Sequence, residues 1–135
     1  MKTVVLKFGG TSVSTVDRIK KVANIIISYV KKRYKVIVVS SAMRGTTNDL
    51  IKKSKKISNN FISSEYDVLV SSGEQMSCAL IAGRLNHLGY KSQSWMGWQV
   101  PILTEGNHSS SRISQIYKKK INKWLRKYNW WRFIK

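Results

Sequence analysis

Lys7-Phe8-Gly9-Gly10-Thr11-Ser12 stands directly behind the apolar run Val4-Val5-Leu6. A lysine, two adjacent glycines and two hydroxyls therefore fall where a strand should end and a helix begin. At the carboxyl end of a strand in an open α/β sheet, exposed backbone N–H groups and the dipole of the following helix favour an anion, above all phosphate. Gly9 and Gly10 place no Cβ between the backbone and phosphate oxygens. Lys7 adds a full positive charge, and Thr11 and Ser12 can donate hydroxyl hydrogen bonds. The string is not GxxxxGK[ST], and GxGxxG does not occur either, so neither a Walker loop nor a dinucleotide fold is indicated. By itself K-x-G-G fits two readings, a phosphate site and a tight turn closing a strand–helix–strand unit.

Other reactive side chains are few. Glu74 is one of only six acids in the chain; in isolation it reads as a solvent-exposed helical glutamate. The single cysteine, Cys78, permits no internal disulfide and agrees with a reducing compartment. It reads as a small buried residue rather than a nucleophile, since no base stands near it in sequence. His87 and His108 lie far from Cys78 and from each other, which gives no metal-ligand spacing, so no zinc site is expected.

The elements that would position these groups follow from periodicity. Thr3–Phe8 reads as a strand. Ser14 can cap a helix, with Asp17 reaching back as in a capping box. Val16, Ile19, Ala23, Ile26, Ile27 and Val30 then form one helical face, which stops at the cations Lys31-Lys32-Arg33. Val36–Val39 is an unbroken apolar run, fitting a strand covered on both faces and hence a parallel sheet. The loop 40–47 leaves that strand, and Thr47 or Asn48 caps a short helix ending near Ile57. From Glu65 a helical period returns and runs to Leu88, with a break expected at Gly73 and a cap at Gly89. Lys91–Trp95 reads as a third strand, Pro101–Leu103 as an extended piece, and 105–111 as a polar loop. Ile113, Ile116, Ile121 and Leu125 suggest one more helix. Trp95 and Trp98 read as packing residues.

Size and composition agree with one α/β domain: 135 residues, 42% of them hydrophobic, support one core. No apolar run approaches the ~20 residues of a membrane span, and the first residues are too short an apolar stretch for a signal peptide, so a cytoplasmic protein is expected. Against the six acids stand 25 Lys and Arg, a formal charge of +19. That balance fits a nucleic-acid or anionic surface, or compositional drift with lysines solvating helix faces. Over residues 1–105 the lysines fall on the polar sides of amphipathic patterns, which favours drift.

Taken in order, KFGGTSV, VIVVSSAMRGTTNDL, EYDVLVSSGEQMS and GWQVPI resemble the aspartate kinases, over about Met1 to Arg112. KFGGTS marks the wider amino-acid kinase family, while SSGEQMS and GWQVPI resemble aspartate kinase in particular. The resemblance implies a three-layer α/β/α sandwich with a mainly parallel sheet. It also implies transfer of phosphate from ATP, with Mg2+, to the side-chain carboxylate of L-aspartate, the first step toward lysine, methionine, threonine and diaminopimelate. It makes Lys7, Phe8, Gly9 and Gly10 the ATP-phosphate segment, with Lys7 catalytic and Phe8 more a core residue than a contact. Thr47 matches the family's aspartate-contacting threonine, and Glu74 the acid that holds the substrate.

Beyond Arg112 the sequence leaves that pattern. The family's GFQG turn, its TLGRGGSD-type segment, the adenine pocket and the ACT domains have no counterpart here. The expected organisation is thus 1–112 as the amino-terminal part of an incomplete kinase domain and 113–135 as a divergent basic and aromatic helix and tail. An incomplete sheet would leave an unpaired edge and an uncovered apolar face, both solubility liabilities. Little or no turnover is expected unless a second copy or a complementing kinase fragment supplies the rest. The tail, with Trp124, Trp130 and Trp131 among cations, also fits a nucleic-acid or anionic-surface module without catalysis; a nucleic-acid partner is the less favoured reading.

Overall fold

A computed structural model describes residues 2–100, 102–108, 110–117, 119, 122–123 and 132–134. In chain order the elements are β1 (Thr3–Phe8), α1 (Val16–Lys31), β2 (Lys35–Ser40), α2 (Thr46–Ile57), α3 (Ser63–His87), β3 (Ser94–Trp95), β4 (Ile102–Glu105), β5 (Arg112–Ile116) and β6 (Arg132–Ile134). Four strands form a parallel sheet in the order β1-β2-β6-β3, and β4 and β5 form a separate antiparallel hairpin. No described helix is long and apolar enough to cross a membrane.

The expected strand–helix–strand unit is present, with Thr3 to Phe8 paired in register with Lys35 to Ser40. Its helix starts one residue later than the sequence suggests. Thr15, not Ser14, is the N-cap: its backbone is extended at φ −139 and ψ 163, and its hydroxyl accepts the Arg18 N–H at 3.2 Å. Asp17 does not reach back to the cap. It pairs with Lys20 at 2.9 Å, and the lysine's hydrogen bond and charge hold its carboxyl below the usual range. Thr15→Ala should therefore cost about 1 kcal/mol, read as a lower urea midpoint with an unchanged slope, whereas Ser14→Ala should leave the midpoint in place.

α1 buries Ile19, Val22, Ala23 and Ile26 against Val36 and Val38 of β2 and Cys78, Ile81, Ala82 and Leu85 of α3, with Val13 in the same cluster. Both helices thus lie on one face of the sheet, and α2 packs on α3. The opposite face departs from the doubly covered strand expected of Val36–Val39. There Val5 is 60% exposed, Lys7 is exposed, and Ile37 and Val39 are only half-buried. Among the described residues the sandwich has two of its three layers. An unbroken apolar run specifies a strand able to be covered twice; it does not specify that the cover is present.

Three further expectations change. α3 runs unbroken through Gly73 for 25 residues, because that glycine serves close packing rather than a bend. The helix expected from Ile113 is instead β5, whose Ile116 and Arg112 pair with Ile102 and Glu105 across a bulge at Leu103/Thr104. Lys119, Asn122 and Lys123 are helical, while Ile121 and Leu125 lie outside the described residues, as do Trp124, Trp130 and Trp131. Within the tail, Arg132–Ile134 forms β6, paired in parallel with both β2 and β3. Gly89 does end α3 as expected: it adopts φ +81, and the Tyr90 N–H closes back on Leu85 O at 2.9 Å.

Candidate functional site

The glycine turn after β1 is shaped by backbone contacts. Ser12 N–H bonds Gly9 O at 2.9 Å, and Ser41 N–H bonds Phe8 O at 3.0 Å. Neither Gly9 nor Gly10 has positive φ, so the turn's conformation does not itself demand glycine. Gly10 is required by proximity: a Cβ there would lie 3.0 Å from the carbonyl oxygen of Ala42. A Cβ at Gly9 would meet nothing within 4 Å. Open space beside Gly9 is where an anion could reach the backbone.

Ala42 also touches the third motif. A Cβ at Gly73 would lie 3.2 Å from the Ala42 Cβ, 3.1 Å from Thr46 Cγ2 and 3.5 Å from Leu50 Cδ1. Two glycines from distant segments thus admit the same loop. Ser77, one helical turn past Glu74 and fully buried, secures the arrangement. Its hydroxyl lies 2.7 Å from Ser41 O, 2.9 Å from Glu74 O and 3.5 Å from the Ser40 hydroxyl. Gly10→Ala should shift the loop or the turn, since backbone cannot yield as a flexible side chain does. The expected cost is about 1–3 kcal/mol, seen in urea unfolding, against a change within a few tenths for Gly9→Ala.

The structure brings the candidate residues together as follows. Thr47 is half-buried in the first turn of α2 and does not cap it; the helix begins at Gly45, in the left-handed region at φ 88, with no side-chain cap. This replaces the expected Thr47 or Asn48 cap and leaves the Thr47 hydroxyl to other work. Glu74 adjoins Gly73, so Thr47 and Glu74 flank the α2–α3 contact, and the Glu74 Oε2 atom is shielded from solvent. Phe8 packs against the core cluster, as a core residue would. Lys7 emerges on the open face of the sheet, exposed, and has no ion pair among the described residues.

Sequence reasoning missed Ser77 and Asp67. Ser77 was visible as a polar residue on the otherwise apolar stripe with Cys78 and Ile81. Asp67 accepts from or pairs with His108 Nδ1 at 2.9 Å, which ties the β4–β5 hairpin to α3 across residues too distant in sequence to signal it. A cavity of about 430 Å3 lies beside that tie, lined by Asp67, Val68, Ser71, Gly97, Trp98, Ile102 and Thr104. Trp98, 68% exposed, stands at its rim, whereas Trp95 is buried.

Comparison with known proteins shows the family. Residues 2–130 match the amino acid kinase family, which carries the likeness past Arg112. The chain is 45% identical over 128 residues to an aspartokinase of Rickettsia felis, covering 93% of this chain and 32% of that protein. It is 46% identical over 125 residues to an aspartokinase of Geobacillus stearothermophilus, covering 93% and 31% respectively. The chain thus spans about a third of the length of these relatives. Among solved structures, aspartate kinase from Synechocystis superposes with a TM-score of 0.80 at 35% identity, over 99% of this chain and 21% of that one. E. coli aspartokinase III in complex with aspartate and ADP superposes at 0.74 with 20% identity, over 99% and 40%, a likeness of fold.

Proposed function

This chain belongs to the amino acid kinase family, and we propose that it forms the amino-terminal part of an aspartate kinase. The reaction is attack of the L-aspartate side-chain carboxylate on the γ-phosphorus of ATP, giving 4-phospho-L-aspartate and ADP. Mg2+ would enter with ATP as part of the substrate and would supply charge neutralisation at its phosphates. Lys7 neutralises charge on the transferring phosphoryl group, where electrostatic stabilisation supplies most of the catalysis. The backbone at Gly9 and Gly10 faces the phosphates. Thr47 and Glu74 hold the amino acid, Thr47 as a donor and Glu74 as the acceptor that an ammonium group needs among many cations. The product would open the route to lysine, methionine, threonine and diaminopimelate.

The observation that carries this reading is the convergence at Ala42. The loop leading into Thr47 lies close to Gly10 of the glycine turn and to Gly73 beside Glu74, which supports a reading in which the two substrates are held on one shared wall. A basic nucleic-acid module has no comparable support, since part of the tail it relies on, Arg132–Ile134, is a strand inside the sheet.

The test is a chimera in which residues 1–130 replace the matching segment of the Geobacillus aspartokinase. Coupled detection of ADP should show turnover that depends on L-aspartate, while the 135-residue chain alone shows none. A folded chimera without aspartate-dependent turnover would refute the assignment.

A further inference from the structure

A second cavity, of about 190 Å3, opens between the end of β1 and the outer side of α1, lined by Phe8, Ser12, Arg18, Lys21, Val22 and Ile25. The four α1 residues are spaced i, i+3, i+4 and i+7, so they share one face of the helix. The lining divides by chemistry. Phe8, Val22 and Ile25 make a hydrocarbon floor and wall, and Ser12, Arg18 and Lys21 supply a hydroxyl and two cations. Among the described residues no carboxylate lines it. Asp17, the acid nearest in sequence, is held by Lys20 at 2.9 Å, and neither Arg18 nor Lys21 forms an ion pair among the described residues. Ile25 is 47% exposed beside these cations.

We propose that this cavity binds a small carboxylate with a short branched or aromatic hydrocarbon body and no ammonium group. The cations and the Ser12 hydroxyl take the carboxylate through charge-assisted hydrogen bonds, while Phe8, Val22 and Ile25 take the hydrocarbon. An α-amino acid is disfavoured because its ammonium would face Arg18 and Lys21 with no acceptor of its own. The volume lies below the roughly 300–1,000 Å3 of sites for drug-sized ligands, which limits the body to a few carbons. Phe8 and Ser12 flank Gly9-Gly10, and the Ser12 N–H holds Gly9 O, so an occupant bears directly on the glycine turn. The inference rests on this lining and not on what the turn itself binds.

Titration of the 15N-labelled 135-residue chain with 4-methylpentanoate tests it, with leucine and inorganic phosphate as comparison probes. Saturable shifts are expected at the Ser12, Arg18, Val22 and Ile25 amides, with leucine and phosphate each weaker by roughly tenfold or more. The double substitution Arg18→Gln/Lys21→Gln, at two exposed side chains, should weaken 4-methylpentanoate by roughly tenfold or more. Ile25→Ala should weaken 4-methylpentanoate and spare phosphate. Absence of saturable shifts at about 20 mM, a weight set by ligands of this size, would overturn the proposal. So would equal binding by the double variant, or phosphate binding as tightly as 4-methylpentanoate.

Discussion

Lys7→Ala in the chimeric kinase is expected to lower kcat by about 10²–10³, the loss that follows removal of one pre-placed electrostatic donor from a transition state. The KM for L-aspartate should stay within about threefold, because a charge that acts only as the phosphoryl group transfers contributes little to ground-state binding. The fold should not obscure the result. Lys7 is exposed on the uncovered face of an edge strand, and its place in the sheet rests on backbone pairing with Val39. Steady-state kinetics and a urea midpoint measured together separate the two. A kcat within about fivefold of the unsubstituted chimera would remove Lys7 from the chemistry.

Glu74→Gln should act on the other substrate. A carboxylate receiving an ammonium gives a charge-assisted hydrogen bond of about 1.5–3 kcal/mol, so the KM for L-aspartate should rise by about 10–100-fold while that for ATP holds. Discrimination against succinate, which lacks the amino group, should fall by a similar factor, since a site built to bond an ammonium rejects the analogue without it. The neighbouring structure should be spared. The contact from Ser77 is to the Glu74 backbone oxygen, and Gln keeps the side-chain volume. An unchanged succinate ratio would mean that Glu74 does not touch the substrate's amino group.

How much of this was legible beforehand differs by element. The β1–α1–β2 unit was readable because its apolar residues repeat with the periods of the structures they form, and α1 indeed buries Ile19, Ala23 and Ile26. Of the residues singled out by type, Gly10 lies against the Ala42 loop and Glu74 adjoins Gly73, which packs on the same loop, while Lys7 lies within β1 opposite Val39. Cap identity was less legible: Ser14 and Thr15 offer the same hydroxyl, and the folded chain gives the Arg18 N–H to Thr15. Gly73 misled because a helical glycine is weak by propensity, yet a helix interior tolerates it where side chains of neighbouring segments, here Ala42, Thr46 and Leu50, pack close against it.

Local pattern, then, determined the β1–α1–β2 unit and the helical character of α2 and α3, and where charge and glycine collect. It did so because helical and strand periods, and the steric allowance of glycine, are properties of residues close in the chain. Tertiary structure alone decided that Gly10 and Gly73 admit one loop, that Asp67 meets His108, that Arg112–Ile116 pairs as a hairpin strand, and that three residues of an unpatterned tail complete the sheet between β2 and β3. Each of those is a contact between residues far apart in sequence, whose energy depends on the surface that the partner presents, and no window of neighbouring residues contains that surface.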